Sequence, residues 1–284
     1  MNPHLHAVRL GLFRAWTEFR QSITTRTDQV WIVSINGIFI VVLLFQRNAD
    51  IPGTEIPLAL ATLPSLLGMN VMTGGWMQTA TTLSAEREDG TLLRAKATPN
   101  GMIGYLVARI ALSALNILLG FAIFLVFGLT LLDGLGAVGV GGWLILLAVF
   151  VVGLLATLPW GAMLGSLVKS SGAGFGLSFL PASLLIGISG IFYPISGLPD
   201  WLHPIAQIFP VYWLGLGMRS ALLPDSAALT EIGESWRHLE TFGVLGLWAV
   251  VGLALAPRVL RRMAQRESGS AVEERRQRAM QMGT

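Results

Sequence analysis

Residues 143–168, WLILLAVFVVGLLATLPWGAMLGSLV, form a run of 26 residues without a charged side chain. A helix of about 20 mostly apolar residues is long enough to cross the roughly 30 Å hydrocarbon core of a bilayer. The rest of the chain has the same character, because 53% of its 284 residues are hydrophobic and 12% are charged, against about 25% charged residues in a soluble domain. Much of the chain therefore needs lipid as its solvent, and this run predicts a membrane-spanning helix.

Five other apolar runs flank this one. The six predicted spans are residues 30–45, 56–83, 105–132, 143–168, 175–192 and 242–257. They predict an all-α integral membrane protein with six transmembrane helices and a single transmembrane domain, residues 1–284. In that domain an N-terminal region (1–29) precedes the six-span bundle (30–257), and a charged cytoplasmic tail (258–284) follows it.

Lysine and arginine are unevenly divided between the two sides that six spans define. Of the 19 Lys and Arg residues, 16 fall on the side that holds both termini and the loops after spans two and four. The other three are Arg47, Arg219 and Arg237. Because cytoplasmic loops carry an excess of Lys and Arg, we expect a plasma-membrane protein with both termini in the cytoplasm. The same distribution accounts for the basic pI of about 9.8 without nucleic-acid binding.

The segment before the first span has an apolar face. Its large apolar residues recur every three or four positions, at Leu5, Val8, Leu12, Trp16, Phe19 and Ile23. This spacing is typical of an amphipathic helix, which beside a membrane span lies most simply along the cytoplasmic lipid interface. The alternative is a soluble helix packed on a small cytoplasmic domain.

Ionisable residues are nearly absent from the predicted spans, where only Arg109, near the cytoplasmic end of span three, is charged. Proton- and ion-coupled transporters use charged side chains within the membrane as relays or ligands, so this pattern argues against proton coupling. The polar residues Asn36, Asn70 and Asn116 could hydrogen-bond to neighbouring helices or contact a transported solute.

The sequence also lacks residues that many enzymes need. It has no cysteine, which excludes a thiolate metal site. It contains no Gly-x-x-x-x-Gly-Lys-Ser/Thr phosphate-binding loop. We therefore expect no catalytic, cofactor or metal site in this chain, and no ATP hydrolysis by the chain alone.

Residues 85–99, AEREDGTLLRAKATP, follow span two and form the densest polar cluster in the first half of the chain. Asp89-Gly90 predicts a turn, and Thr91 can cap a short helix that ends before Pro99. With paired charges and exposed leucines, this cytoplasmic loop could dock onto another protein. Alternatively, it is a solvated loop whose basic residues only fix the orientation of the chain.

A proline-rich apolar segment separates spans five and six. Its prolines are Pro194, Pro199, Pro204 and Pro210. They exclude a continuous helix, and irregular backbone at membrane depth must be buried in protein or line a cavity. We predict two short re-entrant helices that close the outer end of a pathway, with Trp201, Tyr212 and Trp213 at the outer lipid interface. The alternative is a surface loop without a gating role.

Two of these segments resemble those of a known family. Glu86-Arg87-Glu88-Asp89-Gly90-Thr91-Leu92 is similar to the hallmark segment between spans two and three of type-2 ABC transporter permeases, which export drugs, lipids and polysaccharides. SGIFYPISGLPDWL (residues 189–202), followed by IFPVYW (residues 208–213), resembles the same family's segment after span five. The N-terminal amphipathic helix is similar to the family's connecting helix, so the resemblance covers nearly the whole chain.

The resemblance implies that this chain works with partners. Coupling to a separate ATPase subunit, which would bind ATP and Mg²⁺, would involve Glu86, Arg87, Glu88, Asp89, Gly90, Thr91 and Leu92. The extracellular gate would be formed by Tyr193, Pro194, Pro199, Trp201 and Pro210. A second permease copy or a paralogue would complete a dimer within the membrane lipid.

The expected function is the membrane subunit of an ATP-driven exporter. A nearly uncharged bundle rich in Leu, Val, Phe and Met suits an amphipathic or lipophilic solute, such as an antibiotic, another drug or a lipid. The alternative within the family is a polysaccharide or lipid-linked glycan. The alternative outside it is a membrane scaffold that transports nothing.

Overall fold

The computed structural model describes residues 3–49, 57–98, 101–132, 135–168, 170–191 and 195–266. Throughout these ranges the regular structure is helical, and no strand occurs in them. The helices are α1 (Pro3–Thr24), α2 (Arg26–Gln46), α3 (Leu58–Met72), α4 (Thr79–Glu88), α5 (Thr91–Lys96), α6 (Gly101–Leu131), α7 (Val140–Leu167), α8 (Ser171–Gly187), α9 (Leu202–Ile208), α10 (Pro210–Leu222) and α11 (His238–Arg266). Thr73–Gln78 is a π-helical segment that joins α3 to α4.

Within the described residues, five helical stretches are long and apolar enough to cross a membrane. They are Arg26–Gln46, Leu58–Glu88, Gly101–Leu131, Val140–Leu167 and His238–Met263. The predicted fifth span coincides with α8, which is apolar but only 17 residues long. The prediction of an all-α, multi-pass membrane protein is therefore confirmed.

The second span is longer than predicted. It continues without interruption to Glu88, so residues 85–88, which were expected to open a loop, belong to the helix. A helix can carry these polar residues because their side chains find partners on the helices beside it, as described below. The turn begins only at Asp89 and Gly90, where Gly90 has the left-handed φ of 77°.

Helix α10 lies at the centre of the bundle, in contact with α3 and α7. Twelve of its 13 residues are buried, so this part of the proline-rich segment belongs to the core. The predicted division of the segment into two short helices, α9 and α10, is confirmed. The predicted place of Tyr212 and Trp213 at the outer lipid interface is wrong, because both side chains are buried inside the bundle, whereas Trp201 is 66% exposed.

Helix α1 packs along α6 through a face of small residues. Ala7, Gly11 and Ala15 are buried at intervals of four, and a Cβ on Gly11 would lie 2.5 Å from the carbonyl oxygen of Gly104. Small residues let helix backbones approach this closely. The apolar stripe predicted for α1 stays largely free, with Leu12 and other members exposed, as a helix in contact with lipid requires.

The π-helical segment meets α7 at equally close range. A Cβ on Gly161 would lie 2.0 Å from the carbonyl oxygen of Gly75, and one on Gly75 would lie 2.0 Å from the hydroxyl of Thr157. Only glycine fits at these two positions, because any side chain would push the helices apart. Gly141, near the start of α7, has no atom within 4 Å of the position that a Cβ would take.

We therefore expect Gly161→Ala to destabilise the protein by about 1–3 kcal/mol, the usual effect of overpacking, whereas Gly141→Ala has a small or favourable effect because alanine is the better helix former. Thermal unfolding of the two purified variants in detergent, beside the wild type, measures the difference. Equal melting temperatures for the two variants would show that α7 does not pack on the π-helical segment in this way.

Candidate functional site

An ion network joins three helices at the C-terminal end of α4. The Glu86 carboxylate accepts a hydrogen bond of 2.6 Å from the Tyr105 hydroxyl and lies 2.9 Å from Nη1 of Arg109. Nη2 of Arg109 pairs with Glu18 of α1. The Glu86 and Arg109 side chains are only 11% and 13% exposed, so the pair is largely removed from water. This network ties α1, α4 and α6 together.

The α1 end of the network carries a second arginine. Nε of Arg14 donates a hydrogen bond of 2.6 Å to Glu18, and this bond raises the pKa of Arg14 above its ordinary value. Arg14 therefore stays charged at every physiological pH. Glu18 thus lies between the guanidinium groups of Arg14 and Arg109, and the pair with Arg109 of α6 holds α1 against the bundle.

Two further residues of the predicted coupling segment reach the connection between α7 and α8. Nη1 of Arg87 donates hydrogen bonds of 2.6 Å to the carbonyl oxygens of Ser166 and Val168. Oε2 of Glu88 accepts hydrogen bonds from the backbone N–H and the hydroxyl of Ser171, at 2.9 and 3.1 Å. Arg87 is buried and Glu88 is exposed. Both fix α4 relative to the start of α8.

The turn and α5 follow directly. Oδ1 of Asp89 accepts a hydrogen bond of 2.8 Å from the backbone N–H of Thr91. Thr91 is the first residue of α5 and Gly90 is its N-cap, so the prediction that Thr91 caps this helix is wrong. Leu92 is fully buried in a cluster with Leu83 and Tyr105, so the expectation of exposed leucines is wrong for Leu92. The exposed polar side chains of this region are Glu88, Asp89, Arg94, Lys96 and Thr98.

Glu86 has its counter-charge within the chain, on Arg109. Leu92 of α5 packs in one cluster with Leu83 of α4, Tyr105 of α6 and Met163 of α7, so α5 is held against the bundle.

A second buried ion pair lies at the opposite end of the bundle. Nε of Arg219 lies 2.6 Å from Oε1 of Glu231, and Nη2 lies 3.2 Å from Oε2. Both side chains are 7% exposed. Nη1 also donates to Ser65 and to the carbonyl oxygen of Gly190. The sequence indicated only that Arg219 lies on the side with few Lys and Arg residues. In the structure, the Arg219 side chain joins α10 to α3 and to the turn after α8.

Three of the predicted gate residues, Pro199, Trp201 and Pro210, are among the described residues. Pro210 is the first residue of α10, where its missing N–H leaves no hydrogen bond unmade. Pro199 and Trp201 are exposed just before α9. Tyr193 and Pro194 fall outside the described residues.

A cavity of about 570 Å³, called the side cavity below, lies between the long helices and is partly open. It is bounded by α2, by the second span around the π-helical segment, by α6 and by Phe175 of α8. The three asparagines that sequence analysis left undecided, Asn36, Asn70 and Asn116, all line it. Nδ2 of Asn36 donates to its own helix, at Ile32, whereas Oδ1 of Asn70 is buried without a hydrogen-bond partner.

This cavity could not be located from the sequence, because its lining comes from α1, α2, the second span, α6 and α8, and most of these are distant from one another along the chain. The one feature of the sequence that pointed to this cavity was the occurrence of single asparagines in otherwise apolar spans. Its lining combines those amides with the rings of Phe39 and Phe124, which lie edge to face with ring centres 6.1 Å apart. The cavity can therefore hold a molecule that has both polar and apolar parts.

A multi-pass helical bundle with a side cavity and a capped helical end is the architecture of a transport permease. Residues 30–257 match the sequence profile of the ABC-2 family transporter proteins, and the chain belongs to that family. It is accordingly a permease of an ABC transporter, a class that in general works with a partner ATPase subunit. Among curated proteins, no sequence matches the chain.

The network at α4 predicts different effects for two glutamates that are two residues apart. Glu86→Ala would leave the largely buried Arg109 with one carboxylate instead of two. Breaking a buried ion pair costs about 3 kcal/mol or more. Glu88→Ala would remove exposed hydrogen bonds worth about 1 kcal/mol. We expect Glu86→Ala to lower the melting temperature in detergent much more than Glu88→Ala.

Limited proteolysis gives a second measurement. Because Glu86→Ala should release α1 from the bundle, residues before Thr24 should become easier to cleave in that variant. A Glu86→Ala protein with wild-type melting and a protected α1 would contradict the ion network.

Proposed function

We propose that this chain is the membrane subunit of an ABC exporter that moves an amphipathic or lipophilic solute, such as an antibiotic, another drug or a lipid, out across the plasma membrane. The observation that carries the proposal is the side cavity. Its walls are formed by helices long enough to span a bilayer, and its lining offers amide groups within an otherwise apolar surface. A solute dissolved in the inner leaflet could enter such a cavity sideways without crossing water.

In this proposal α8 is the sixth span, and α9 and α10 are the re-entrant helices of the outer gate. At 1.5 Å per residue, the 17 residues of α8 extend roughly 26 Å, close to the thickness of the hydrocarbon core. The division of Lys and Arg supports a cytoplasmic location for both termini and for α5. Arg219 of α10 and its partner Glu231, which follows α10 in the chain, then lie towards the outer face.

We further propose a dimer with a second copy or a paralogue. The cavity is partly open, and α2 and α8, which help to line it, expose large apolar side chains, among them Val33, Phe45, Leu180 and Leu184. A second permease half would close the cavity into a pathway. The separate ATPase would bind ATP and Mg²⁺, because this sequence contains no phosphate-binding loop.

The contact with the ATPase would be formed by the exposed surface of α5 and its turn rather than by Glu86. Arg94 and Asp89 are exposed there, while the Leu92 cluster anchors the helix to the bundle. ATP-driven motion of the partner subunit could therefore displace α5, and α4 and α6 would move with it.

A cavity-filling substitution tests the transport function. Asn116→Trp should block the cavity and abolish ATP-dependent transport of the neutral lipophilic dye N-phenyl-1-naphthylamine into inside-out membrane vesicles that contain the permease and the ATPase with which it co-purifies. Leu118→Trp is the matched control, because Leu118 is on the same helix but 46% exposed and absent from the cavity lining. Equal transport by both variants would contradict the role of the cavity.

A charge reversal tests the coupling surface. Arg94→Glu should weaken association with the ATPase at least about tenfold, or about 1.4 kcal/mol, because it inverts an exposed charge on α5 without touching the buried network. The measurement is recovery of the ATPase with the affinity-tagged permease over a concentration series. Arg20→Glu, an exposed position on α1, is the control. Undiminished recovery with Arg94→Glu would place the contact elsewhere.

A further inference from the structure

The side cavity contains one ionisable side chain among the described residues that line it, the carboxylate of Asp28. Asp28 lies in the first turn of α2 and is half-buried. It forms no ion pair with another described residue. Neither lysine nor arginine nor histidine is found among the described lining residues. The fixed charge of the cavity is therefore a single negative one.

This charge lies at one end of an elongated lining. Asp28 is near the start of α2, together with Ser22 and Thr81, whereas Phe39 and Phe124 line the deeper part. From Asp28 to Phe39 the helix advances roughly 17 Å at 1.5 Å per residue. A solute in the cavity would therefore meet a carboxylate at one end and aromatic rings at the other.

The polar groups between these ends favour a solute with a positively charged group. Oδ1 of Asn70 is a buried acceptor without a partner. A buried acceptor is stabilised when it receives a hydrogen bond, which a protonated amine can donate and an anion cannot. Phe175, near the start of α8, also lines the cavity, and aromatic faces attract cations.

From this arrangement we infer that the cavity selects amphipathic organic cations, with the positive group near Asp28 and the apolar part against Phe39 and Phe124. The inference rests on the proposed transport function and goes further by naming the charge of the solute. An acidic residue in the first turn also interacts favourably with the helix dipole. That purely structural role would affect stability alone and would not make binding depend on the charge of the solute.

The test uses two ions of nearly equal size and shape, tetraphenylphosphonium (a cation) and tetraphenylborate (an anion). Binding of each to the purified full-length permease in nanodiscs of zwitterionic lipid is measured by equilibrium dialysis, and binding to empty nanodiscs is subtracted. We expect Asp28→Asn to reduce the ratio of cation to anion affinity about tenfold, and Asp28→Glu to retain the wild-type ratio. Glu240→Gln removes an exposed acid outside the cavity and should leave the ratio unchanged.

The outcomes separate this inference from the proposed function. An unchanged ratio in Asp28→Asn, or no binding of the cation to the wild type, overturns the selection of cations. If Asn116→Trp abolishes binding while Asp28→Asn keeps the wild-type ratio, only the charge selection fails. If Asn116→Trp leaves the binding of both ions as in the wild type, the cavity is not the binding site, and the proposed function fails with the inference.

Discussion

Arg109 is the ninth residue of a 31-residue apolar helix, and much of the structure at that end of the bundle follows from this placement. A charged side chain at membrane depth is costly unless a partner is found within the protein. Here the partners are Glu86 at the end of the second span and Glu18 of α1. Because both carboxylates must reach one guanidinium group, α1 has to lie against α6. The small residues Ala7, Gly11 and Ala15 make that approach close enough.

The second span links this network to the cavity. Before the π-helical segment, α3 packs on α10, where Gly68 approaches Gly215. After the segment, α4 packs on α7 and α8, and a Cβ on Gly165 of α7 would lie 2.5 Å from the carbonyl oxygen of Ala80. A π-turn adds a residue to the helical ladder and so rotates the faces on its two sides relative to each other. This rotation lets one helix serve two sets of neighbours, and it places Thr73 and Gln78 towards the cavity.

Sequence reasoning predicted the helical membrane fold, the family, the turn at Gly90 and the two short helices because each depends on local composition. A run of apolar residues determines that a segment crosses the membrane, but not which of its faces meets a neighbour. The exposure of individual charges could not be predicted for that reason. Glu86 and Arg87 are buried and Glu88 is exposed, although all three belong to one polar stretch. Their partners lie up to 83 residues away along the chain, and no local pattern connects them.

The buried ion pairs also constrain how the molecule can move. Arg219 and Arg109 lie towards opposite ends of the bundle, and each is held by carboxylates at low exposure. Separating such a pair would leave a charge without a counter-charge in a poorly solvated site, so each end should move as a unit. Between them, the π-helical segment Thr73–Gln78 has two environments: Gly75 packs against Thr157 of α7, whereas Thr73 and Gln78 line the cavity. The second span is therefore held by these two arginines near both ends and by close packing on α7 in its middle, and the cavity lies beside that same middle part.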